Sequence, residues 1–204
     1  ENNDSYIIEK IPVTEFQQDL VEKVMTMKID GEKIIGSGTN SYKGESKRDF
    51  FYKFFYSESD KIDAIVKEYA GENSNFKILN VRYDELKRTN DVKLNYEFSF
   101  QNAMSTFNNE TYVSLDYNKP FTNLKVAKDR LNDLYFAKKI NEIYKIEFNI
   151  PDGYKLQTLP ANLIIKEEDF EFKLTYEQKG NKILYTKSFI IPSAKVKKKN
   201  FEKW

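Results

Sequence analysis

The chain has 204 residues, including 16 Phe and 14 Tyr, and its 33 Lys and Arg residues nearly balance its 32 Asp and Glu residues. A net charge of +1 excludes a bulk electrostatic affinity for nucleic acid or anionic lipid, while a hydrophobic fraction of 40% is sufficient for a folded core. The absence of Cys and His removes thiol nucleophiles, Ser-His-Asp triads and zinc sites of the Cys/His type. We therefore expect no catalysis, no cofactor and no metal in this chain.

The N-terminal residues give no targeting or membrane signal. No apolar run reaches 18 residues, so the sequence predicts no membrane span. The chain starts at Glu1 without a Met, which we interpret as a mature protein or a piece of a longer one. Residues 1–19 are predicted to be a lead-in segment.

Alternation of apolar and polar residues predicts β-strands along most of the chain. Residues 24–29 alternate and run into Asp30–Gly31, a dipeptide typical of tight hairpins. In residues 92–100 every even position is apolar and every odd position polar, which predicts one buried and one solvated face. Further strands are predicted at 144–150, at 170–191 as a hairpin around Gly180–Asn181, and more weakly near 76–83, 111–117 and 162–166.

Residues 45–70 break this alternation. Phe50, Phe51, Phe54 and Phe55 have helical spacing, and a second periodic segment ends at Gly71, a preferred helix stop. The sequence therefore predicts a mainly β fold, specifically an antiparallel β-sandwich with a short helical pair inserted at about 45–70. Residues 20–204 form this module, either as one sandwich or as two abutting subdomains, 20–115 and 116–204.

The charged clusters favour structural over chemical roles. Glu167–Asp169 lies between two amphipathic segments and is predicted to be a hairpin tip rather than an acid–base pair or a calcium ligand. The lysine-rich run 195–199 is predicted to be a solvated end, because no other basic segment joins it. We predict no nucleic-acid partner.

The aromatic residues are the strongest candidates for a binding surface. Most occupy the inward phase of a strand or helix and are predicted to form the core. Four lie outside that phase and are candidate exposed binding residues: Tyr42, Tyr52, Tyr117 and Trp204.

A series of short motifs gives the chain a family resemblance. The most specific is Ile150-Pro151-x-Gly153-Tyr154, followed by Leu159–Pro160. The other motif residues are Gly31, Gly44, Arg48, Pro120, Phe121 and Arg130. Together these motifs resemble the β-rich domain of unknown function that follows the catalytic core in large bacterial transglutaminase-like proteins, and the resemblance covers residues 20–204.

That resemblance implies a context for the chain. Such proteins belong to Gram-negative bacteria, are mostly exported, and carry a papain-like Cys-His-Asp core before this portion. It therefore implies that any catalytic core lies upstream of residue 1 and that the location is periplasmic, at the cell envelope or secreted. The partner would be another protein or an upstream domain of the same chain.

The motif residues themselves are expected to be structural. Pro151 ends a strand, Gly153 supplies a turn, and Tyr154 is predicted to fold back onto the sheet. Arg48 and Arg130 are predicted to pair with a carboxylate or stack on a ring where elements meet.

Three functions remain open from the sequence. The first is a non-catalytic accessory or interaction module associated with a transglutaminase-like protein. The second is a carbohydrate- or peptide-binding module that uses exposed aromatic rings. The third is a hydrolase that works through two facing carboxylates.

Overall fold

The structure is a computed structural model that describes residues 15–122, 124, 126 and 130–203. Two α-helices in these ranges follow the first hairpin, α1 (Gly44–Tyr56) and α2 (Ile62–Ala70), and 3₁₀ helices span Phe16–Gln18, Ser59–Lys61 and Lys198–Lys203. The strands are β1 (Val21–Asp30), β2 (Lys33–Tyr42), β3 (Phe76–Tyr83), β4 (Val92–Phe100), β5 (Met104–Phe107), β6 (Glu110–Val113), β7 (Leu134–Tyr135), β8 (Ile140–Asn149), β9 (Leu163–Lys166), β10 (Glu171–Lys179), β11 (Lys182–Ile191) and β12 (Lys195–Val196).

Within the described ranges, eight strands form one sheet in the order β3-β4-β2-β1-β8-β11-β10-β9. Its neighbouring strands are antiparallel except β1 and β8, which are parallel and join the strands of 21–100 to those of 140–191. The remaining strands of the described ranges form two separate two-stranded ribbons, β5–β6 and β7–β12. The predicted mainly β class, with antiparallel pairing and short helices, is confirmed.

The arrangement differs from the predicted pair of packed sheets, because the main strands lie side by side in one sheet. Alternation specifies that each strand has one buried face, but it does not specify which strands share a sheet. Helices, ribbons and loops cover the buried face here. Strands from 20–115 and from 116–204 meet at the β1–β8 pair and contribute to one hydrophobic cluster.

Both predicted hairpins are present. Gly180 has φ +58° at the β10–β11 turn, as the Gly180–Asn181 prediction requires. In the first hairpin Asp30 pairs with Lys33, so the turn residues are Gly31 and Glu32, one position later than the sequence predicts. Gly31 has φ +61°, which explains why a glycine stands there.

The buried face of the sheet is aromatic. In β4 the even positions are buried and the odd ones exposed, with Ser99 as the exception. Phe76 stacks on Phe98 with ring centroids 4.5 Å apart. A Cβ at Gly38 would lie 2.6 Å from the Tyr96 ring, so only glycine allows that ring to cover β2.

The helical pair lies where the sequence predicts it. α2 ends at Gly71, whose φ of +108° and N–H bonds to Lys67 O and Glu68 O close the helix. At the start of α1, Asp19 Oδ1 accepts the Glu45 N–H at 2.7 Å. Gly44 has φ +55°, and any Cβ there would collide with the Asp19 carboxylate, so this glycine is required for the contact.

Candidate functional site

The exposed rings of α1 form the first candidate site. Tyr52, Phe55 and Tyr56, which we name the α1 patch, are 66%, 52% and 74% exposed. The spacing of three and four residues places them on one side of the helix. Phe50 and Phe51 face the core instead, so the aromatic stripe of α1 extends beyond what the sheet can bury. Exposed neighbouring rings of this kind are typical of interaction surfaces.

A shallow groove of about 500 Å³ lies beside the α1 patch. It is lined by Arg48, Asp49, Tyr52, Lys53 and Tyr69. Lys53 Nζ donates to Glu68 Oε1 at 2.8 Å and lies 5.4 Å from the Tyr69 ring, which ties α1 to α2. Burial, together with the charges of Asp49 and Glu68, raises the pKa of Tyr69 to about 12. The phenol therefore stays protonated near neutral pH. As a hydroxyl group that lines the groove, it can donate a hydrogen bond to a bound polar group.

A second shallow concavity of about 400 Å³ lies on the solvated face of the sheet. Its lining residues include Arg82, Asn95 and Glu97, and Thr39 Oγ1 donates to Asn95 Oδ1 at 2.8 Å across it. Glu97 is the carboxylate in this lining, and Asp49 is the one in the groove at α1. Neither lining pairs two acids as the hydrolase hypothesis requires.

A buried polar cluster lies under the strap, the name we give to residues 114–118 where they cross the covered face. Lys187, on β11, is only 4% exposed. Its Nζ donates to Asp116 Oδ1 and to the Asn118 carbonyl oxygen, both at 2.5 Å. Leu115 and Tyr117 of the strap are buried on either side of Asp116. The contact therefore fastens the strap to the sheet.

Aromatic rings enclose this cluster. The Tyr144 ring centroid lies 4.6 Å from Lys187 Nζ and 4.9 Å from Lys23 Nζ. Burial lowers the pKa of Lys187, although the Asp116 carboxylate opposes that shift. Burial also lowers the pKa of Lys23, whose Nζ makes no hydrogen bond within the described part of the chain.

One tyrosine hydroxyl of the cluster makes a hydrogen bond and two others do not. Tyr144 Oη donates to Glu142 Oε2 at 2.7 Å, and burial with the Glu142 charge raises the pKa of Tyr144. Among the described residues, Tyr117 Oη and Tyr185 Oη have no hydrogen-bond partner of acceptable geometry. Burial raises the pKa of both phenols. These groups remain protonated and polar inside an apolar layer.

The acidic group Glu167–Asp169 contacts the lysine-rich C-terminal segment. Lys197 and Lys199 both donate to the Glu168 carboxylate, at 2.5 and 2.8 Å. Asp169 is buried and accepts the Lys197 N–H and, at 2.5 Å, the Asn200 amide. We name these contacts the C-terminal bracket. The acids do lie at a turn, between β9 and β10, but lysines neutralise them, and the described residues contain no acidic group arranged to hold a metal ion.

The four aromatic residues that were predicted to be exposed differ in their observed exposure. Tyr52 is exposed, while Trp204 lies outside the described residues. Tyr42 and Tyr117 are 5% and 7% exposed, which corrects the expectation that they form a binding surface. Tyr42 pairs with Val92 across the sheet and so shares its buried face, while the Tyr117 ring lies 4.4 Å from Phe76.

The predictions for Arg48, Arg130 and Tyr154 also need correction. Arg48 is 72% exposed in its side chain and lies 3.9 Å from the carboxylate of Glu45, which is on its own helix and not where two elements meet. Arg130 donates to the carbonyl oxygens of Asn132 and Asp133 and therefore braces its own loop. Tyr154 is 54% exposed, so it does not fold back onto the sheet as predicted.

The remaining motif residues have local structural roles. Gly153 has φ +82°, and the Tyr154 N–H donates to the Pro151 carbonyl at 3.1 Å, which closes the turn after β8. Phe121 stacks on Phe189 at 4.8 Å in the cluster beneath β7 and β12. Pro120 and Pro160 lie in connecting loops.

Sequence reasoning missed the buried cluster. Lys23, Glu142 and Lys187 each occupy an inward position of an otherwise apolar strand face. These residues could have been identified in the sequence as charged residues at inward-facing positions of a strand. Such a residue is buried only when its surroundings compensate its charge.

Comparison with known family models finds a similarity over part of the chain. Residues 106–204 match the model of a family described as a domain of unknown function with solved structure (DUF3858). No curated protein matches the chain, and no solved structure matches it. The matched region contains the strap, β6 to β12 and the C-terminal bracket.

No described helix is long and apolar enough to cross a membrane.

Proposed function

We propose that this chain is a non-catalytic accessory module that docks, through the α1 patch, on the catalytic core of a transglutaminase-like protein of the bacterial envelope. The exposure of Tyr52, Phe55 and Tyr56 on one side of α1 is the observation that carries the docking role. The family match to a domain of unknown function and the motif resemblance support the context. The lack of Cys and His supports the absence of catalysis by the chain itself.

The geometry of the patch favours a protein partner. Tyr52 and Tyr56 have ring centroids 5.0 Å apart but their planes are tilted by 34°, and they project from a convex helix. A partner with a concave apolar surface would bury these rings, which are among the side chains that dominate interface energies. The surrounding charges are mixed, as at the rim of a typical interface: Glu45, Arg48, Asp49 and Lys53.

The groove beside the patch favours a second candidate, a carbohydrate- or peptide-binding module. Tyr52 contributes an exposed ring there, while Arg48 and Asp49 supply a donor and an acceptor. Sugars are bound by such combinations of one stacking ring and several polar groups.

The docking proposal is tested with the gene and with the purified protein. We expect a papain-like core to be encoded upstream of Glu1. This core, produced separately, is titrated with the chain by calorimetry. The Tyr52→Ala/Tyr56→Ala double variant is expected to bind at least tenfold more weakly, because each truncated ring removes about 1–2 kcal/mol at an interface centre.

The control is Tyr154→Ala, which removes another ring that is more than half exposed but lies outside the α1 patch. It is expected to bind like the wild type. Equal binding by the double variant would contradict docking through α1, and binding of oligosaccharides that depends on Tyr52 would favour the second candidate. Turnover of amidase, transglutaminase or glycosidase substrates would refute the non-catalytic part. Fractionation of the source cells tests the envelope location.

A further inference from the structure

The contact between β11 and the strap has the arrangement that an intramolecular amide would need. Lys187 Nζ lies 2.5 Å from Asp116 Oδ1, and the Asn118 carbonyl accepts a second hydrogen bond that fixes the position of the amine. We propose that Lys187 and Asp116 form an isopeptide bond between Nζ and the side-chain carbonyl carbon. This proposal is independent of the docking function.

Burial favours the neutral, nucleophilic form of the Lys187 amine. Lys187 is 4% exposed and lies over the Tyr144 ring, and Leu115 and Tyr117, which flank Asp116 in the strap, are buried too. In so apolar a site the charged pair carries a desolvation penalty, and transfer of one proton from the ammonium to the carboxylate removes both charges. The lone pair of the neutral amine is then free to attack the carboxylic acid.

The condensation balances without any further reagent. The Nζ lone pair adds to the Asp116 carbonyl carbon and a C–N bond forms. The carboxyl C–OH bond breaks, and its oxygen leaves as water with one proton from Nζ. No atom is oxidised or reduced. The two groups are held together by the fold, and well-oriented intramolecular partners react as if at about 10⁵–10⁸ M.

Glu142 lies at the hydroxyl end of the Tyr144 ring that Lys187 contacts. Its carboxylate accepts the Tyr144 hydroxyl at 2.7 Å, and its charge also acts on Lys187. In the proposed reaction this charge stabilises the positive charge that develops on Nζ as the amine attacks. The Asp116 side chain is 28% exposed, so the released water has a path to solvent.

Two other lysines of the chain define what the site requires. Lys23 lies over the same ring at 4.9 Å, but within the described residues its Nζ makes no hydrogen bond or ion pair. Lys145 contacts Glu22 at 2.7 Å, but that pair lies on the solvated face and stays hydrated. Only Lys187 among these three combines burial with a carboxylate in contact.

The bond is tested by intact-mass spectrometry of the denatured full chain. The wild type is expected to be lighter than its sequence mass by one water. Lys187→Arg and Asp116→Ala are expected to have their full masses, and Lys23→Arg should keep the deficit. Asp116→Asn is expected to lose ammonia instead and to reach the same final mass as the wild type. Glu142→Gln should react more slowly and contain a larger uncondensed fraction.

Peptide mapping locates the bond even if a variant fails to fold. A branched tryptic peptide that contains both Asp116 and Lys187 is expected from the wild type, and Lys187 should resist cleavage. A wild-type mass equal to the sequence mass would overturn the proposal and leave the contact as a salt bridge. A deficit confined to one unbranched peptide, or one that persists in Lys187→Arg, would also overturn it.

Discussion

The strap and the C-terminal bracket both hold a chain segment against the fold with lysine and carboxylate groups, but they differ in burial. At the strap, one lysine that is 4% exposed contacts Asp116 and a carbonyl oxygen. At the bracket, Lys197 and Lys199 share the exposed carboxylate of Glu168, while Asp169 and its partner Asn200 are buried. The same chemical groups therefore lie in two different dielectric environments, a buried one at the strap and a solvated one at Glu168.

This difference determines how much each contact contributes. Exposed ion pairs gain little, because water and salt screen them and two long side chains must be ordered. A buried charge with one partner removed is left uncompensated, and that loss is large even where the intact pair is not strongly stabilising. The strap contact should therefore dominate, and Asp169 should contribute more than Glu168.

The largest effect is expected for Lys187→Met. This change leaves the Asp116 carboxylate without its cation under the strap, so the free energy of unfolding should fall by about 3–5 kcal/mol. The loss is expected whether the contact is ionic or covalent. It is measured by urea denaturation at neutral pH.

Lys145→Met is the matched control, because it removes a lysine from the solvated face of the neighbouring strand β8. Its effect on the free energy of unfolding should be small, as for other exposed pairs. Equal losses in the two variants would show that burial of Lys187 is not what gives the strap contact its strength.

An intermediate effect is expected for Asp169→Ala. The Lys197 N–H and the Asn200 amide both lose their acceptor in a buried position, which should cost about 1–3 kcal/mol. The loss should be local, so hydrogen exchange should accelerate in residues 195–203 before it does so in β8. Uniform acceleration through the sheet would instead assign Asp169 a role in the whole fold.

The two regions also show what the sequence reveals. The bracket is visible as an acidic run and a lysine run, although the sequence does not show that the two meet. The strap contact joins residues 71 positions apart, and each looks unremarkable beside its neighbours in the chain. The feature of the sequence that indicated the strap contact was the position of Lys187. This charged residue stands among the inward-facing apolar residues Ile183, Tyr185 and Phe189.

The long strands and both α-helices were predictable because each depends on local periodicity, whereas the short strands β5, β7 and β12 were not predicted. β4, the hairpin at Gly180 and the helix end at Gly71 follow from spacing and from glycine conformation. The single sheet depends on which strands become neighbours, and the parallel contact of β1 with β8 joins residues more than 100 positions apart. Exposure of the α1 patch likewise depends on how much of α1 the sheet covers, which no local pattern specifies.

The smallest effect is expected for Glu168→Gln and should depend on pH. Hydrogen bonds from Lys197 and Lys199, followed by their charges, lower the pKa of Glu168 from its ordinary value of 4.5 to about 2. A carboxylate with a lowered pKa in the folded state stabilises the fold above pH 4.5, and this contribution disappears as the pH falls toward 2.

The difference in stability between the wild type and Glu168→Gln should therefore be present at neutral pH, shrink between pH 4.5 and 2, and weaken with added salt. Urea denaturation across this range measures the difference, and an NMR titration of the Glu168 side chain measures its pKa directly. A titration midpoint near 4.5 would mean that the two lysines are too mobile in water to hold the carboxylate. The bracket would then depend on Asp169 alone, and the contrast with the buried strap would be greater still.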